Sequence, residues 1–156
     1  MSIELGKDAL YYPRVVKNLG VEPGGISANY GLLCITQQNL YYIPKHILDV
    51  KRTSVLSEHY AIKEQKAKKY QGMNFEDVLP EVAKEFKGNE ELEKFLTEMA
   101  QDIPGSCEFK LADLHGCQFG YFAQFTFING EEKYKFSVGG KKKREEIRIF
   151  LQGRTS

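Results

Sequence analysis

Cysteine and histidine side chains are common zinc ligands, and together they can form a nucleophilic pair. A zinc site needs about four ligands at a recognisable spacing, and only His115 and Cys117 stand close together in the sequence. A Cys–His nucleophile would also need a third group that orients the imidazole, and no motif supplies one. The remaining candidates have no ligand spacing: Cys34, Cys107, His46 and His59. We therefore predict no metal site, no cofactor and no functional thiol.

Two other patterns are poor matches to phosphate-binding and acid–base sites. The segment Gly139-Gly140-Lys141 lacks the spacing of a phosphate-binding loop and more simply ends a strand before a helix. The acidic pairs Glu90-Glu91 and Glu145-Glu146 are adjacent on predicted helices, so their side chains diverge. No catalytic motif is left, and we predict a non-enzymatic binding or scaffold module.

A run of four basic residues could contact anionic phospholipid headgroups: Lys141, Lys142, Lys143 and Arg144. Each Lys or Arg near an anionic membrane contributes on the order of 1 kcal/mol, so four without an apolar wedge would give weak attachment. A solvated first helical turn is the alternative interpretation. Positive charge opposes the helix dipole at this end, which favours a functional reason for the run.

Composition places the chain among single globular domains. Its 156 residues fit one domain, here taken as 1–156, and 42% hydrophobic residues are enough for a core without disulfides. The net charge of +1 gives no signal for nucleic acid, which we exclude as a partner. Three cysteines, with no secretory signal pattern and no apolar run of about 18 residues, predict reduced thiols in the cytoplasm.

The N-terminal half reads as β-structure after an ambiguous start. Residues 10–19 fit a short helix or a strand, and Glu22-Pro23-Gly24-Gly25 is a break. Residues 31–36 and 39–43 predict a hairpin turning at Gln37-Gln38, with four inward side chains: Leu33, Ile35, Leu40 and Tyr42. A short strand at 47–52 and a weak exposed helix at 57–71 complete this half.

Two amphipathic helices are predicted at 74–87 and 89–101. Their apolar residues recur at three- and four-residue spacing, as in Leu92, Phe95, Leu96 and Met99. Residues 76–102 hold nine acidic residues against three lysines, whereas 141–154 hold six basic residues against two acidic ones. Such blocks are solvated faces, partner surfaces or an internal complementary pair.

The C-terminal third predicts strands followed by one helix. Apolar residues occupy every second position over residues 107–111, and again over residues 119–127, which predicts one long strand there. Asn129-Gly130 is a hairpin signal, and pairing outward from it sets Phe125 opposite Tyr134, Ala123 opposite Phe136 and Tyr121 opposite Val138. Residues 141–152 predict a final helix that turns Ile147, Phe150 and Leu151 inward and Ile149 outward.

Two stretches resemble the pleckstrin-homology superfold, and specifically GRAM-like domains. Residues 31–42, GLLCITQQNLYY, resemble the family's Gly-x-Leu-x-x-Thr-x-x-x-Leu-x-Phe hairpin, and residues 109–114, FKLADL, resemble its Ile-Pro-Leu-x-Asp-Ile strand. The resemblance implies an α+β fold: a partly open antiparallel β-barrel with a C-terminal helix, here with a helical insertion at about 54–102. The family's barrel has seven strands, whereas this sequence shows five and a sixth candidate.

The resemblance also implies binding, to lipid headgroups in some members and to proteins in others. The family's inositol-phosphate site uses basic residues around the first hairpin turn, and the turn Thr36-Gln37-Gln38-Asn39 has none. We therefore expect a protein partner or self-association, with the residues 141–144 as an alternative site for weak membrane contact. The helical pair either folds back near the C-terminal helix, making Ile149, Phe95 and Met99 a partner-binding junction, or merely completes the core.

Overall fold

A computed structural model describes residues 3–22, 25–44, 75–102, 105–120 and 124–155 of the chain. These residues form a mixed α+β fold. The strands are β1 (Leu10–Glu22), β2 (Gly25–Ile35), β3 (Asn39–Pro44), β4 (Cys107–Lys110), β5 (Leu114–Phe119), β6 (Gln124–Asn129) and β7 (Glu132–Ser137). The helices are α1 (Phe75–Ala83), α2 (Asn89–Asp102) and α3 (Lys141–Leu151). The predicted strand at 47–52, the weak helix at 57–71 and the rest of the insertion before residue 75 lie outside the described residues.

All seven strands belong to one antiparallel sheet, ordered β4-β3-β2-β1-β7-β6-β5. The long strand β1 pairs with β2 over most of its length and also with β7, through Val16 and Lys17. Strands β4 and β5 follow each other in the chain but form the two opposite edges of the sheet. The link between them, a 3-10 turn at Leu111–Asp113, is three residues long.

That short link requires the sheet to curve strongly. In a flat sheet the two edge strands would be about 29 Å apart, whereas a three-residue 3-10 turn rises only about 6 Å. The ring of Phe109 in β4 accordingly contacts Phe127 of β6 and Tyr134 of β7, at centroid distances of 5.2 and 4.7 Å. Between β4 and β5 the described residues form no ladder. The predicted partly open barrel is therefore seen as a curved, open, seven-stranded sheet.

The first hairpin of the sheet is β1–β2, which the sequence did not reveal. Residues 10–19 are extended in β1, and the predicted break after Glu22 separates β1 from β2. The hairpin at Thr36–Asn39, which the sequence predicts as the first one, therefore joins β2 to β3 and is the second. Its position and its turn were predicted correctly.

The single long strand predicted over 119–127 is wrong. Strands β5 and β6 are separate and antiparallel, with Phe119 opposite Phe125. The Gly120 amide donates to the Gln124 carbonyl at 3.0 Å between the two strands. Apolar residues keep alternating in the sequence from Phe119 to Phe127, so periodicity alone could not detect that β5 and β6 are separate strands. Likewise, residues 109–114 do not form one strand, since they end β4, pass through the 3-10 turn and begin β5.

The β6–β7 hairpin exists, but its predicted register is off by two residues. Phe125 pairs with Phe136 rather than with Tyr134, and Asn129 pairs with Glu132. The two loop residues are therefore Gly130 and Glu131, and Gly130 supplies the positive φ of 65°. Asn129 belongs to the strand. A shift of two residues keeps every side chain on its predicted face, so the hydrophobic pattern could not distinguish the two registers.

The concave face of the sheet encloses the larger core. It contains the four inward residues predicted on β2 and β3, together with side chains of every other strand and of α3. Phe125, Phe127 and Phe136 are fully buried at its centre, and the ring centroids of Phe127 and Phe136 lie 5.8 Å apart. Helix α3 contributes Ile147 and Leu151. Its inward and outward faces are therefore those that the sequence predicts.

The helical pair α1–α2 covers the opposite face of β2 and β3. Successive strand residues point to opposite faces, so Leu32, Cys34, Tyr41 and Ile43 face away from the concave core. They form a second cluster with buried residues of the pair: Leu79, Val82, Ala83, Phe86, Leu92, Phe95, Leu96 and Met99. Both faces of β3 and of residues 31–35 of β2 are thus buried, and α1–α2 completes a core. The predicted junction between the helical pair and α3 is not formed, because the buried residues of α3 pack in the concave core and those of α1–α2 pack in the second cluster.

Candidate functional site

The outward face of α3 carries an apolar residue surrounded by charges of both signs. Five residues line a shallow depression there, which we call the α3 surface: Lys141, Lys142, Glu145, Glu146 and Ile149. They lie on one face because they are three or four residues apart along the helix. The Ile149 side chain is 56% exposed and is the exposed large hydrophobic residue of the described chain. The α3 surface is therefore amphiphilic and carries no net charge.

The α3 surface is held rigidly by the core beneath it. Ile147 is fully buried on the other side of the helix. The single proton of the Tyr12 hydroxyl, on β1, is shared between the Lys143 carbonyl and the Glu146 carboxylate, both at 3.4 Å. Burial, and then the nearby Glu146 carboxylate, raise the pKa of Tyr12 well above its usual range, so the phenol stays a donor. These contacts fix the helix against β1.

The four residues of the basic run do not act together. Lys141, Lys142 and Lys143 are exposed, whereas Arg144 is half-buried and donates to the Val138 carbonyl at 3.1 Å. Arg144 therefore closes the strand-to-helix connection.

The next residue, Glu145, pairs with Arg148 on the helix surface, through a hydrogen bond of 3.0 Å from Nε. The hydrogen bond and charge of Arg148 lower the pKa of Glu145. Within the described helices, none is long and apolar enough to cross a membrane.

Phe95 and Met99, which the sequence grouped with Ile149, are not at the surface. Both are buried in the cluster between α2 and the sheet, at 2% and 0% exposure. The Phe95 ring lies 5.5 Å from that of Phe86, centroid to centroid. The structure therefore separates Ile149 from Phe95 and Met99, and only Ile149 is accessible to a partner.

A buried polar network, which the sequence analysis missed, joins α2 to the tip of the β2–β3 hairpin. The Glu93 carboxylate accepts from the Thr36 hydroxyl and the Asn39 amide, each at 2.7 Å. The Tyr41 hydroxyl donates to the Glu93 carbonyl at 3.2 Å and lies 2.9 Å from the Thr97 hydroxyl. Asn89 completes the network with a hydrogen bond to the second carboxylate oxygen. Its members are far apart in sequence, so no local pattern could reveal it.

A second missed cluster surrounds Lys17 inside the curved sheet. Lys17 shares the face of buried Val15 on β1, because no register shift separates them. Its ammonium lies 3.2 Å from the Cys107 sulfur of β4. It also lies 6.0 Å from the ring centroid of Tyr42 and 5.9 Å from that of Tyr134. We call these four residues the Lys17 cluster.

The other chemically capable residues are dispersed. Cys34 is fully buried, and burial raises the pKa of its thiol to about 12. His115 is exposed and Cys117 is half-buried, and Cys117 lies within the register shift of β5 between His115 and Gln118. Across the described ranges, no group of three His, Cys, Asp or Glu residues is placed to hold a metal ion.

Comparisons with known proteins give one partial relative. The chain is 38% identical over 63 residues to an uncharacterized protein of Aquifex aeolicus, strain VF5. The match covers 40% of this chain and 42% of that protein, so the chain spans less than half the length of this relative. No family model matches the chain, and no solved structure matches it.

Proposed function

We propose that this chain is a non-enzymatic interaction module that binds a protein partner through the α3 surface. The observation that carries the proposal is the exposure of Ile149 on a helix whose other large apolar residues are buried or half-buried. Because Ile149 is 56% exposed, burying it would stabilise a complex by roughly half of the about 1.5–3 kcal/mol that full burial of such a side chain gives. The charges of both signs around it would orient the partner rather than select an anion or a cation.

The fold proposed for this module is the pleckstrin-homology superfold, of the GRAM-like type. Three features support it: seven antiparallel strands, a curved open sheet, and a C-terminal helix that packs on the concave core. The strand count, which the sequence left at five or six, no longer argues against the superfold. The turn Thr36–Asn39, which has no basic residue, belongs to the second hairpin rather than the first, so its composition does not exclude a phosphate clamp at the first hairpin.

The interface would be small unless neighbouring surfaces take part. A stable interface buries about 800 Å² on each partner, which is more than one helix face supplies. We therefore expect weak, reversible association, and a second copy of this chain is the partner that the purified protein can test. Phe95 and Met99 are not part of the proposed site, since they are buried in the chain.

The test compares Ile149→Asp with Gln101→Asp in a concentration series by size-exclusion chromatography with light scattering. Gln101 is a matched control, since it is exposed in the last turn of α2 as Ile149 is in the last turn of α3. We expect the average mass of the wild type and of Gln101→Asp to rise with concentration, and that of Ile149→Asp to stay monomeric. A wild type that remains monomeric throughout, or an Ile149→Asp variant that associates equally, would contradict the self-association.

Peripheral binding to anionic phospholipid headgroups is the second candidate. It is favoured by the exposure of Lys141, Lys142 and Lys143 in the first turn of α3. Glu145 and Glu146 follow directly and weaken the local positive potential. Co-sedimentation with phosphatidylserine vesicles, against phosphatidylcholine vesicles, tests it. If the protein binds lipid, binding to phosphatidylserine vesicles should weaken as salt is added. The double variant Lys141→Glu, Lys142→Glu should abolish this binding, whereas Ile149→Asp should preserve it.

A further inference from the structure

The Lys17 cluster brings an amine and a thiol together on two strands that are not neighbours. Lys17 is on β1 and Cys107 is on β4, and β2 and β3 lie between them in the sheet. Their side chains nevertheless meet on the concave side, with Nζ and Sγ 3.2 Å apart. The contact exists because the sheet curves, and it joins residues that are 90 positions apart in the sequence.

The residues around the Lys17 amine and the Cys107 thiol keep these two groups in contact with each other. The Lys17 ammonium rests over the rings of Tyr42 and Tyr134, which attract a cation electrostatically. No carboxylate of the described residues forms an ion pair with Lys17, so the thiol is its direct polar contact. Cys107 has no disulfide partner and is half-buried, so a small oxidant can reach it.

We propose that Cys107 and Lys17 form a reversible sulfur–nitrogen cross-link when the protein is exposed to a hydroperoxide. The Cys107 thiolate attacks one peroxide oxygen, so that an S–O bond forms and the O–O bond breaks. The sulfur loses two electrons and becomes a sulfenic acid, while the peroxide is reduced. The departing oxygen takes a proton from the Lys17 ammonium and leaves as water from hydrogen peroxide, or as an alcohol from an organic hydroperoxide, so that Lys17 becomes an uncharged amine. A sulfenic acid can condense with a nearby nitrogen atom, as it does with a backbone nitrogen, to form a sulfur–nitrogen bond.

In the second step the uncharged Lys17 amine attacks the Cys107 sulfur. An S–N bond forms, the S–O bond breaks, and the hydroxyl leaves as water with one proton of the amine. Two molecules of a small thiol reverse the link by reducing sulfur and forming their own disulfide. This site departs from the expectation that the thiols have no role, because the contact with Lys17 cannot be seen in the sequence.

The link would be detected by intact mass and peptide mapping of reduced protein treated with hydrogen peroxide. We expect a loss of about 2 Da, one peptide that joins the segments around Lys17 and Cys107, and reversal by dithiothreitol. Cys117→Ser should keep the link, whereas Cys107→Ser and Lys17→Arg should lose it. Lys17→Arg retains the positive charge, and circular dichroism checks that each variant is folded.

Two results would overturn the cross-link. One is a Cys107 that is recovered only as sulfenic, sulfinic or sulfonic acid beside an unmodified Lys17. The other is a loss of mass that maps to Cys117 and disappears in Cys117→Ser, which would identify a disulfide instead. If Lys17→Arg does not fold, the peptide map of the wild type decides alone. Neither result bears on Ile149, so this test is independent of the proposed partner binding.

Discussion

The Glu93 carboxylate of α2 accepts a hydrogen bond of 2.7 Å from the Thr36 hydroxyl at the tip of the β2–β3 hairpin. The two residues are 57 positions apart, and both are buried. A carboxylate hidden from water is stable only if its oxygens are hydrogen-bonded, and Asn39 and Asn89 supply the remaining donors. This contact fixes the helical pair to the outer face of the sheet.

Removal of that carboxylate should destabilise the fold. Glu93→Ala removes the buried acceptor that the Thr36 hydroxyl and the Asn39 side-chain amide share, at a cost of about 1–3 kcal/mol. The two donors then keep only the Asn39 carbonyl, at 3.2 Å, and the Tyr41 hydroxyl, at 3.0 Å. Urea unfolding followed by circular dichroism measures the loss, and Lys94→Ala, an exposed position in the middle of the same helix, should lose less than about 0.5 kcal/mol. Equal stability of the two variants would show that the network does not hold α2 in place.

The hairpin turn at Gly130 should tolerate glycine far better than a branched residue. Gly130 has a φ of 65°, where valine is strained by about 1–3 kcal/mol, which corresponds to a few degrees in melting temperature. Gly139→Val is the control, because no atom lies within 4 Å of the point that a Cβ would occupy there and its φ is not in the left-handed region. If Gly130→Val melts at the temperature of Gly139→Val, the turn conformation is wrong.

Ile147 and Ile149 should respond in opposite ways to truncation. Ile147 is fully buried against the sheet, so Ile147→Ala should cost about 2–5 kcal/mol. Ile149→Ala should change the unfolding free energy by less than about 0.5 kcal/mol, since its side chain is more than half exposed. Thermal and urea unfolding of the two variants, Ile147→Ala and Ile149→Ala, test which face of α3 is packed. A larger loss for Ile149 would place it in the core.

Alkaline pH should weaken the fold through Cys34. Burial, and then the Glu93 charge, raise the pKa of this thiol from about 9 to about 12. Because the folded pKa is the higher one, the stabilisation is complete below pH 9 and is lost as the pH rises from about 9 to about 12. Cys34→Ala should therefore show a smaller loss of stability between pH 8 and 10.5 than the wild type. Parallel pH profiles would contradict the burial of this thiol.

Local patterns predicted the parts of the fold that depend on near neighbours. The β2–β3 hairpin and the faces of α3 follow from periodicity over a few residues, and both were predicted correctly. The register of β6–β7 and the separation of β5 from β6 were missed because each preserves the apolar alternation. Curvature of the sheet was implied by resemblance alone, and its cause, the short link from β4 to β5, becomes visible only once the strand order is known.

The candidate sites divide in the same way. The outward orientation of Ile149 was predicted because this isoleucine lies off the apolar face of its own helix. The contact of Lys17 with Cys107 and that of Thr36 with Glu93 join distant segments, so they depend on tertiary structure. Phe95 and Met99 were predicted at a surface, whereas both are buried. The amphipathic pattern of a helix shows which face is buried, but it does not show which other element covers that face.

Hydrogen exchange followed by mass spectrometry can locate an interface on the α3 surface without relying on the size of the complex. Amide exchange is compared at low and at high protein concentration, in the wild type and in Ile149→Asp. We predict slower exchange at high concentration within Lys141–Leu151 of the wild type, and no such change in the variant or in β6. Exchange in this helix that is independent of concentration, or protection that persists in Ile149→Asp, would contradict the proposed interface.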